Sequence, residues 1–447
     1  MDAKLLYDES ISLRTRFLKY MGPSVVAMWV FSLYTMVDGI FVAKGVGETA
    51  LAAVNISMPF INFIFAISLM FSTGASTVIA MYLGKKDIKS AKQVFNFNTF
   101  IVFMIGIIIT IVATINLEKL AMFLGATETT LPYVKNYLGI IIFFNVFFIV
   151  SYSLEVIVKT DGFPALATMG VTISAISNMV LDYLFIMVFN WGVQGAAIAT
   201  GLSQVFSTVF FLLHFLGKKS TLKFSKFKID LKEMKRLMFI GFPDSTTELS
   251  CGIVVMLFNI SITKYIGEQG VVYYSILNYV NTLILMTMMG ISQGMQPLVS
   301  FYFGAEKVDS MKKLLKMAIK ASVIAAIVSF AVCRILPDFI VGLFINPSET
   351  HIFAEGVRVL KIYAISFLFM GFNVIISAFF VSVEKPVFAA IVTLGRGLFM
   401  VVAALFITIA IAGGEGIWYS TIISESVCMI TAFILLKLNL DKIMKTV

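Results

Sequence analysis

The sequence predicts an all-α integral membrane protein, with twelve transmembrane helices in two six-helix bundles. The bundles are related by a parallel internal repeat, a pseudo-twofold axis running along the membrane normal. Composition is the first of three observations behind this prediction. Of 447 residues, 59% are hydrophobic and 13% charged, against roughly 25% charged in soluble domains. A water-facing surface would be starved of charge. Lipid removes that difficulty, and only helices or closed barrels pair every backbone polar group inside it. The second observation is that the apolar stretches are long and unalternating, as in 100–115 (FIVFMIGIIITIVATI), whereas barrel strands are short and alternate. The third is a self-match at fixed offset. Pro23 and Pro243, Lys44 and Lys264, Gly47 and Gly267, Glu48 and Glu268, Gly74 and Gly294, and Gly84 and Gly304 are each 220 apart, and 73–84 aligns with 293–304 without a gap. Gly195 and Thr200 match Gly416 and Thr421 at 221. An even number of spans per half brings both halves in from the same side, a transporter pattern that puts substrate between the halves.

The spans follow in order. A polar segment ending at Lys19 leads into 17–44, and Lys44 separates it from 49–83. Four lysines in 85–92 precede 90–116, and Lys119 and Lys135 flank the passage to 131–158. Lys159 separates that span from 164–189, which is followed by 192–216. A basic linker, 217–234, leads to the second half: 235–264, 269–303, 310–336, 355–382, 386–411 and 414–436. Each is long enough for a hydrocarbon core of about 30 Å. The lobes are therefore expected at 1–216 and 235–447. If the N-terminus is cytoplasmic, 26 of the 34 Lys and Arg fall on the cytoplasmic side and 7 on the other, so both termini are expected inside. The first span is too long for a signal-peptide core, so no cleaved signal is expected.

The net charge of +9 does not point to nucleic acid, because the basic residues sit in short loops between apolar spans. Cys251, Cys333 and Cys428 lie in apolar stretches without paired spacing and are expected to be buried packing residues. No phosphate-binding GxxxxGK[ST] loop and no HExxH is present, and GKKS at 217–220 lacks the earlier glycine. His214 and His351 fall near helix ends, where solvated or interfacial positions are expected. No nucleophile–base set is evident, so an enzyme is not expected.

The chemistry resides in carboxylates inside apolar helices. A charge at the bilayer centre costs roughly 2.5–3.5 kcal/mol and usually marks an ion or substrate path. Asp38 lies in the first span and Asp182 in the fifth, with Asn178 one turn before Asp182 on the same face. At about 1.5 Å per residue, Asp38, Asn178, Asp182 and Thr200 occupy a similar outer layer of the N-terminal lobe. Oxygen ligands suit a hard cation such as Na⁺, and a desolvated carboxylate suits H⁺; a plain helix-locking network is the alternative. At offset 221 the second half has Phe258 near the Asp38 level, Phe399 for Asn178 and Ala403 for Asp182, so ion chemistry is expected in one lobe. Glu248, with Asp244 one turn earlier, is a candidate for attracting a cationic substrate, pairing with the basic linker being the alternative. Glu155 is a further candidate for the substrate site; it precedes Lys159 in the favourable ion-pair order, a structural pair being the alternative. Arg396 and Glu425 are expected to pair within the membrane. The 43 Phe and 25 Met suit an adaptable apolar cavity.

Three segments, 33–54 (LYTMVDGIFVAKGVGETALAAV), 159–185 (KTDGFPALATMGVTISAISNMVLDYLF) and 290–306 (GISQGMQPLVSFYFGAE), resemble the signatures of the multidrug and toxic compound extrusion (MATE) family, closest to its bacterial DinF-like and MepA-like branch. The resemblance covers nearly the whole chain. It implies two six-helix bundles around a central cleft, and antiport of cationic, amphipathic drugs against H⁺ or Na⁺ by alternating access. By position it carries the cation-coupling site, and the Na⁺ ligands if Na⁺ is the ion, onto Asp38, Asn178, Asp182 and Thr200. Pro23 falls on a first-helix proline linked to bending, and Glu248 on an acidic seventh-helix position. Lys159 departs from the arginine of many relatives. The resemblance further implies a monomer in the bacterial cytoplasmic membrane, in contact with lipid and with no cofactor beyond the coupling ion. A flippase for a lipid-linked sugar is the alternative within the wider superfamily.

Overall fold

The computed structural model describes residues 5–445 except 9 and 349; the outermost positions of both expected lobes lie outside the described residues. Eleven stretches among these are long and apolar enough to cross a membrane, the last being Pro386–Ile443. Gly413, at φ +60, folds that stretch back on itself, which makes twelve crossings. In order they are α1 (Leu13–Gly45), α2 (Glu48–Gly84), α3 (Ile88–Ile115), α4 (Leu131–Thr160), α5 (Pro164–Val188), α6 (Gly192–Leu216), α7 (Leu231–Tyr265), α8 (Glu268–Gly304), α9 (Val308–Ile335), α10 (350–382), α11 (386–412) and α12 (Gly416–Lys445). Large apolar side chains such as Ile115, Phe143, Leu213 and Ile411 stay exposed on the outside, as a lipid-facing surface requires.

Helices α1–α6 form one lobe and α7–α12 the other. The lobes meet through α1 on α8, α2 on α7 and α2 on α8. These four are also the longest uninterrupted helices, with 33, 37, 35 and 37 residues. At about 1.5 Å per residue they overrun a hydrocarbon core of about 30 Å.

The interface is closed at one end only. At the face bearing the lysine-rich turns, glycines let backbone meet backbone. A Cβ on Gly84 would lie 2.0 Å from the Phe301 carbonyl oxygen, and one on Gly304 would lie 2.1 Å from that of Met81. Gly74 meets Leu237 and Gly241 meets Met70 just as closely. Toward the opposite face, Gly39, Gly47, Gly252 and Gly267 have open space around them. Hydrogen bonds join the lobes in the closed half. Arg16 donates to the Tyr302 hydroxyl and Arg236 to that of Tyr82, with the guanidinium groups 5.9 and 5.8 Å from the same rings. Both pairs obey the repeat offset of 220, so the clasp is two-fold symmetric. Trp29 Nε1 donates to Thr287 at 2.9 Å near mid-helix. Above that level the lobes splay into a cleft.

The linker differs from expectation. Helix α7 starts at Leu231, within the expected linker, because Asp230 caps it, accepting from the N–H groups of Lys232 and Glu233 at 2.9 and 3.2 Å; the lysine-rich turn that follows is helical despite its polarity. The preceding segment is bound to the N-terminal lobe. Asn96 bonds the backbone of Lys223 and Ser225, and Gln93 that of Lys228. Asp161 Oδ1 accepts from the N–H groups of Thr221 and Leu222 at 3.0 and 3.2 Å, while its Oδ2 pairs with His214 Nε2 at 2.9 Å. The His214 side chain is thus only 6% exposed, near a helix end where a solvated or interfacial position was expected; Asp161 supplies the partner that makes this tolerable. Asp161→Ala strands two backbone donors and a histidine, and is expected to destabilise the protein by about 1–3 kcal/mol, read as a lower melting temperature in detergent. An unchanged melting temperature would show that the linker is held by other contacts.

Candidate functional site

The N-terminal lobe gathers Asp38, Asn178, Asp182 and Thr200 in its interior. Helix α1 packs on α5, and α5 on α6, which brings Asp38, Asn178/Asp182 and Thr200 to one level. Asn178 and Asp182 are fully buried. The Asp38 and Asp182 carboxyl groups approach within hydrogen-bonding range of each other. Two carboxylates have no donor to share, so the contact calls for a proton or a cation between them. No protein group fills that need. Asp38 Oδ1, both Asp182 oxygens and Asn178 Oδ1 are buried without a hydrogen-bond partner among the described residues. Asn178 Nδ2 is directed elsewhere, to Thr200 Oγ1 at 3.4 Å. Buried polar atoms are normally paired, and here four unpaired oxygens lie together, a set that fits a hard cation or a proton. A plain locking network would have paired them internally.

The other lobe is filled differently. Phe258, near the level of Asp38 in the repeat, is buried and stacked on Tyr274 at 5.2 Å. Arg396 Nε bonds Glu425 Oε1 at 2.6 Å, and Asn373 donates to Glu425 Oε2 at 2.7 Å, so the expected intramembrane pair is present and complete. The offset of 221 does not hold in detail. Phe399 is 65% exposed and Ala403 is also exposed, whereas Asn178 and Asp182 are buried. The reason is a π-helical turn, which inserts a residue into the helical count. It comes after Asp182 in α5, at Tyr183–Val188, but before Ala403 in α11, at Gly395–Phe399. The helix is therefore rotated differently at the two levels.

Between the lobes, Tyr152 stands within electrostatic reach of Glu155, Asp244 and Glu248. Asp244 lies beside Thr73. Glu155 pairs with Lys159 at 2.9 Å, as the spacing predicted. Half-buried aromatic rings connect the two regions. Tyr152 packs on Phe65 at 4.8 Å, Phe65 stacks on Phe31 at 6.3 Å, and Phe31 packs on Tyr34 at 5.4 Å, one turn before Asp38. Sequence reasoning did not single out these rings; only packing separates them from the other aromatics. Cys251 is exposed, against the expectation of burial, because its helix borders the open part of the interface. Pro23 lies within a continuous α1. It removes the N–H that would bond the Lys19 carbonyl, and its own carbonyl accepts from Thr168 Oγ1 of α5 at 2.7 Å.

A two-lobed, pseudo-symmetric membrane bundle with a cleft between its halves and a buried oxygen cluster without protein partners in one of them defines a membrane transporter. The chain belongs to the MatE family, whose model matches residues 23–184 and 246–406, once in each lobe. It is 24% identical over 448 residues to the multidrug export protein MepA of Staphylococcus saprophyticus subsp. saprophyticus, covering 99% of this chain and 97% of that one. The MepA of Staphylococcus aureus is 26% identical with the same coverage. The fold matches the outward-facing conformation of a multidrug resistance MATE family transporter of the MOP superfamily, with TM-score 0.93, 22% identity and coverage of 99% and 98%. A MATE crystal structure in the bent conformation matches with TM-score 0.91, 23% identity and the same coverage.

Proposed function

We propose that this protein is a secondary active efflux antiporter, exporting cationic amphipathic compounds in exchange for H⁺ or Na⁺. The observation that carries the reading is the cluster of four unpaired buried oxygens on Asp38, Asn178 and Asp182. The names of the MepA relatives support multidrug export. The lysine-rich face is assigned to the cytoplasm by the 26 to 7 distribution of Lys and Arg, so the conformation described is open to the outside. In it the coupling ion enters the N-terminal lobe between Asp38 and Asp182, with Thr200 and Asn178 completing the oxygen set. The substrate occupies the cleft, drawn by Asp244 and Glu248 and stacked on Phe31, Phe65 and Tyr152, since a desolvated cation over an aromatic face gains about 2 kcal/mol. Pro23 is the point at which α1 changes shape with ion occupancy. The ion drives the cycle only by its differential affinity for the two states.

Efflux of ethidium from proteoliposomes, with pH and Na⁺ gradients imposed separately, tests the reading. Flux driven by one gradient names the ion; absence of flux under both, in folded protein, would overturn antiport and favour a lipid substrate. In the same assay Glu248→Gln is expected to slow ethidium flux about tenfold, one lost charge interaction of about 1.4 kcal/mol. A neutral amphiphile should be spared, and equal slowing of both would place Glu248 outside substrate binding.

A further inference from the structure

The acidic part of the cleft contains a cation of the chain's own. Of the three carboxylates around Tyr152, Asp244 and Glu248 have no basic partner among the described residues. Glu155 has one. Lys159 Nζ lies 2.9 Å from its Oε1, the two side chains 3% and 9% exposed. The same ammonium donates to Gln293 Oε1 at 2.8 Å. Gln293 is on α8, in the other lobe, where its Nε2 also faces Met28 Sδ of α1 at 3.7 Å. Lys159 therefore bonds across the closed half of the interface while neutralising Glu155.

Two consequences follow from this geometry. Any separation of the lobes at this level removes Gln293 from Lys159, because the bond spans the interface. Separation also opens Glu155 to the lysine-rich side, since it lies five residues, about 7.5 Å, from that end of α4. A buried carboxylate needs a positive partner, and leaving it unpaired is strongly unfavourable. With Gln293 in place that partner is Lys159. With Gln293 gone, the lysine's flexible, strongly hydrated ammonium is free to swing to water, and another cation has room to replace it.

We propose that Lys159 is a specificity-determining residue that stands in for the cationic substrate at Glu155, with Gln293 deciding which of the two holds the carboxylate. The proposal rests on the efflux reading above. With the lobes apart at the cytoplasmic end, the substrate takes Glu155 and Lys159 is displaced. As that end closes, Gln293 returns Lys159 to Glu155 and the substrate passes up the cleft toward Asp244 and Glu248. Loading at Glu155 and closure of the inner end are thereby mutually exclusive, which prevents the substrate from being carried back. Neutral compounds do not compete for Glu155 and escape this control.

The test is equilibrium binding of ethidium and of the neutral dye Nile red to the purified full chain. Lys159→Met is expected to tighten ethidium binding about tenfold, by removing the competing cation and enlarging the loading-competent population, and to leave Nile red unchanged. Gln293→Ala, which keeps the ion pair but frees Lys159, should tighten ethidium about threefold. Lys159→Arg should show no gain, and Lys159→Met combined with Glu155→Gln should lose it. A monodisperse Lys159→Met protein that binds ethidium no better than the parent, or that gains equally for both dyes, would overturn the proposal and leave the pair as packing alone. If the parent protein shows no saturable ethidium binding, the efflux reading itself fails, and the proposal with it.

Discussion

Asp182→Asn is expected to abolish voltage-driven accumulation of substrate while leaving the protein at least as stable. The carboxylate pair is built against stability: its oxygens face each other with no protein donor, and an amide at 182 supplies the missing N–H to Asp38. One satisfied buried hydrogen bond is worth about 1 kcal/mol, so the melting temperature should stay level or rise. Transport should fall for a separate reason. With both carboxylates ionised, the site accepts two positive charges per cycle, and export of one monovalent cation then moves one net charge inward. That charge is worth about 2.3 kcal/mol per 100 mV. Its loss lowers the attainable concentration ratio about fiftyfold per 100 mV. The measurement is ethidium accumulation in proteoliposomes against an imposed potential, with melting recorded on the same preparation. Full accumulation in the asparagine variant would mean that the cluster only locks helices.

Gly304→Leu is expected to stop the cycle by a different route, leaving the ion site intact. A Cβ at 304 would fall 2.1 Å from the Met81 carbonyl oxygen, and one at the mate position, Gly84, would fall 2.0 Å from that of Phe301. Backbone cannot yield as a side-chain tip does. Overpacking costs about 1–3 kcal/mol even where neighbours adjust, and here the lobes must part. The packing within each lobe is not involved, so the protein should still fold. The equilibrium should move to the state open at the lysine-rich end, by at least about tenfold for 1.4 kcal/mol. A cysteine at Thr287, on the floor of the cleft, would report this as faster labelling from the lysine-rich side, with ethidium export lost. Unchanged labelling would show that the glycine contacts are incidental to closure.

The sequence carried much of the site. Asp38, Asn178, Asp182 and Thr200 stood out because a carboxylate in an apolar helix is costly and therefore conspicuous, and helical rise put all four at one level. Glu155 with Lys159, and Arg396 with Glu425, were legible as pairs within a helix or at matched depth. Other features were visible but without meaning. Gly74, Gly84, Gly294 and Gly304 marked the repeat, yet only the folded lobes reveal them as points of backbone contact. Arg16 and Arg236 counted as cytoplasmic charge, but each reaches a tyrosine in the opposite lobe, and Arg16 is only 5% exposed. Cys251, expected to be buried, is exposed, and His214 is paired with Asp161, because the surroundings of each depend on which elements pack beside it.

The sequence alone determined the membrane class, the twelve crossings, the parallel repeat and the lobe that holds the carboxylates. These follow from properties of single residues and from local spacing: transfer free energy, helical period and a fixed offset. The tertiary structure decided which end of the interface is closed, where the π turns rotate α5 and α11, and which partner each buried charge finds. The Arg16–Tyr302 bond spans 286 positions and Lys159–Gln293 spans 134. Contacts at such separations depend on how two whole lobes pack, and no local pattern encodes that.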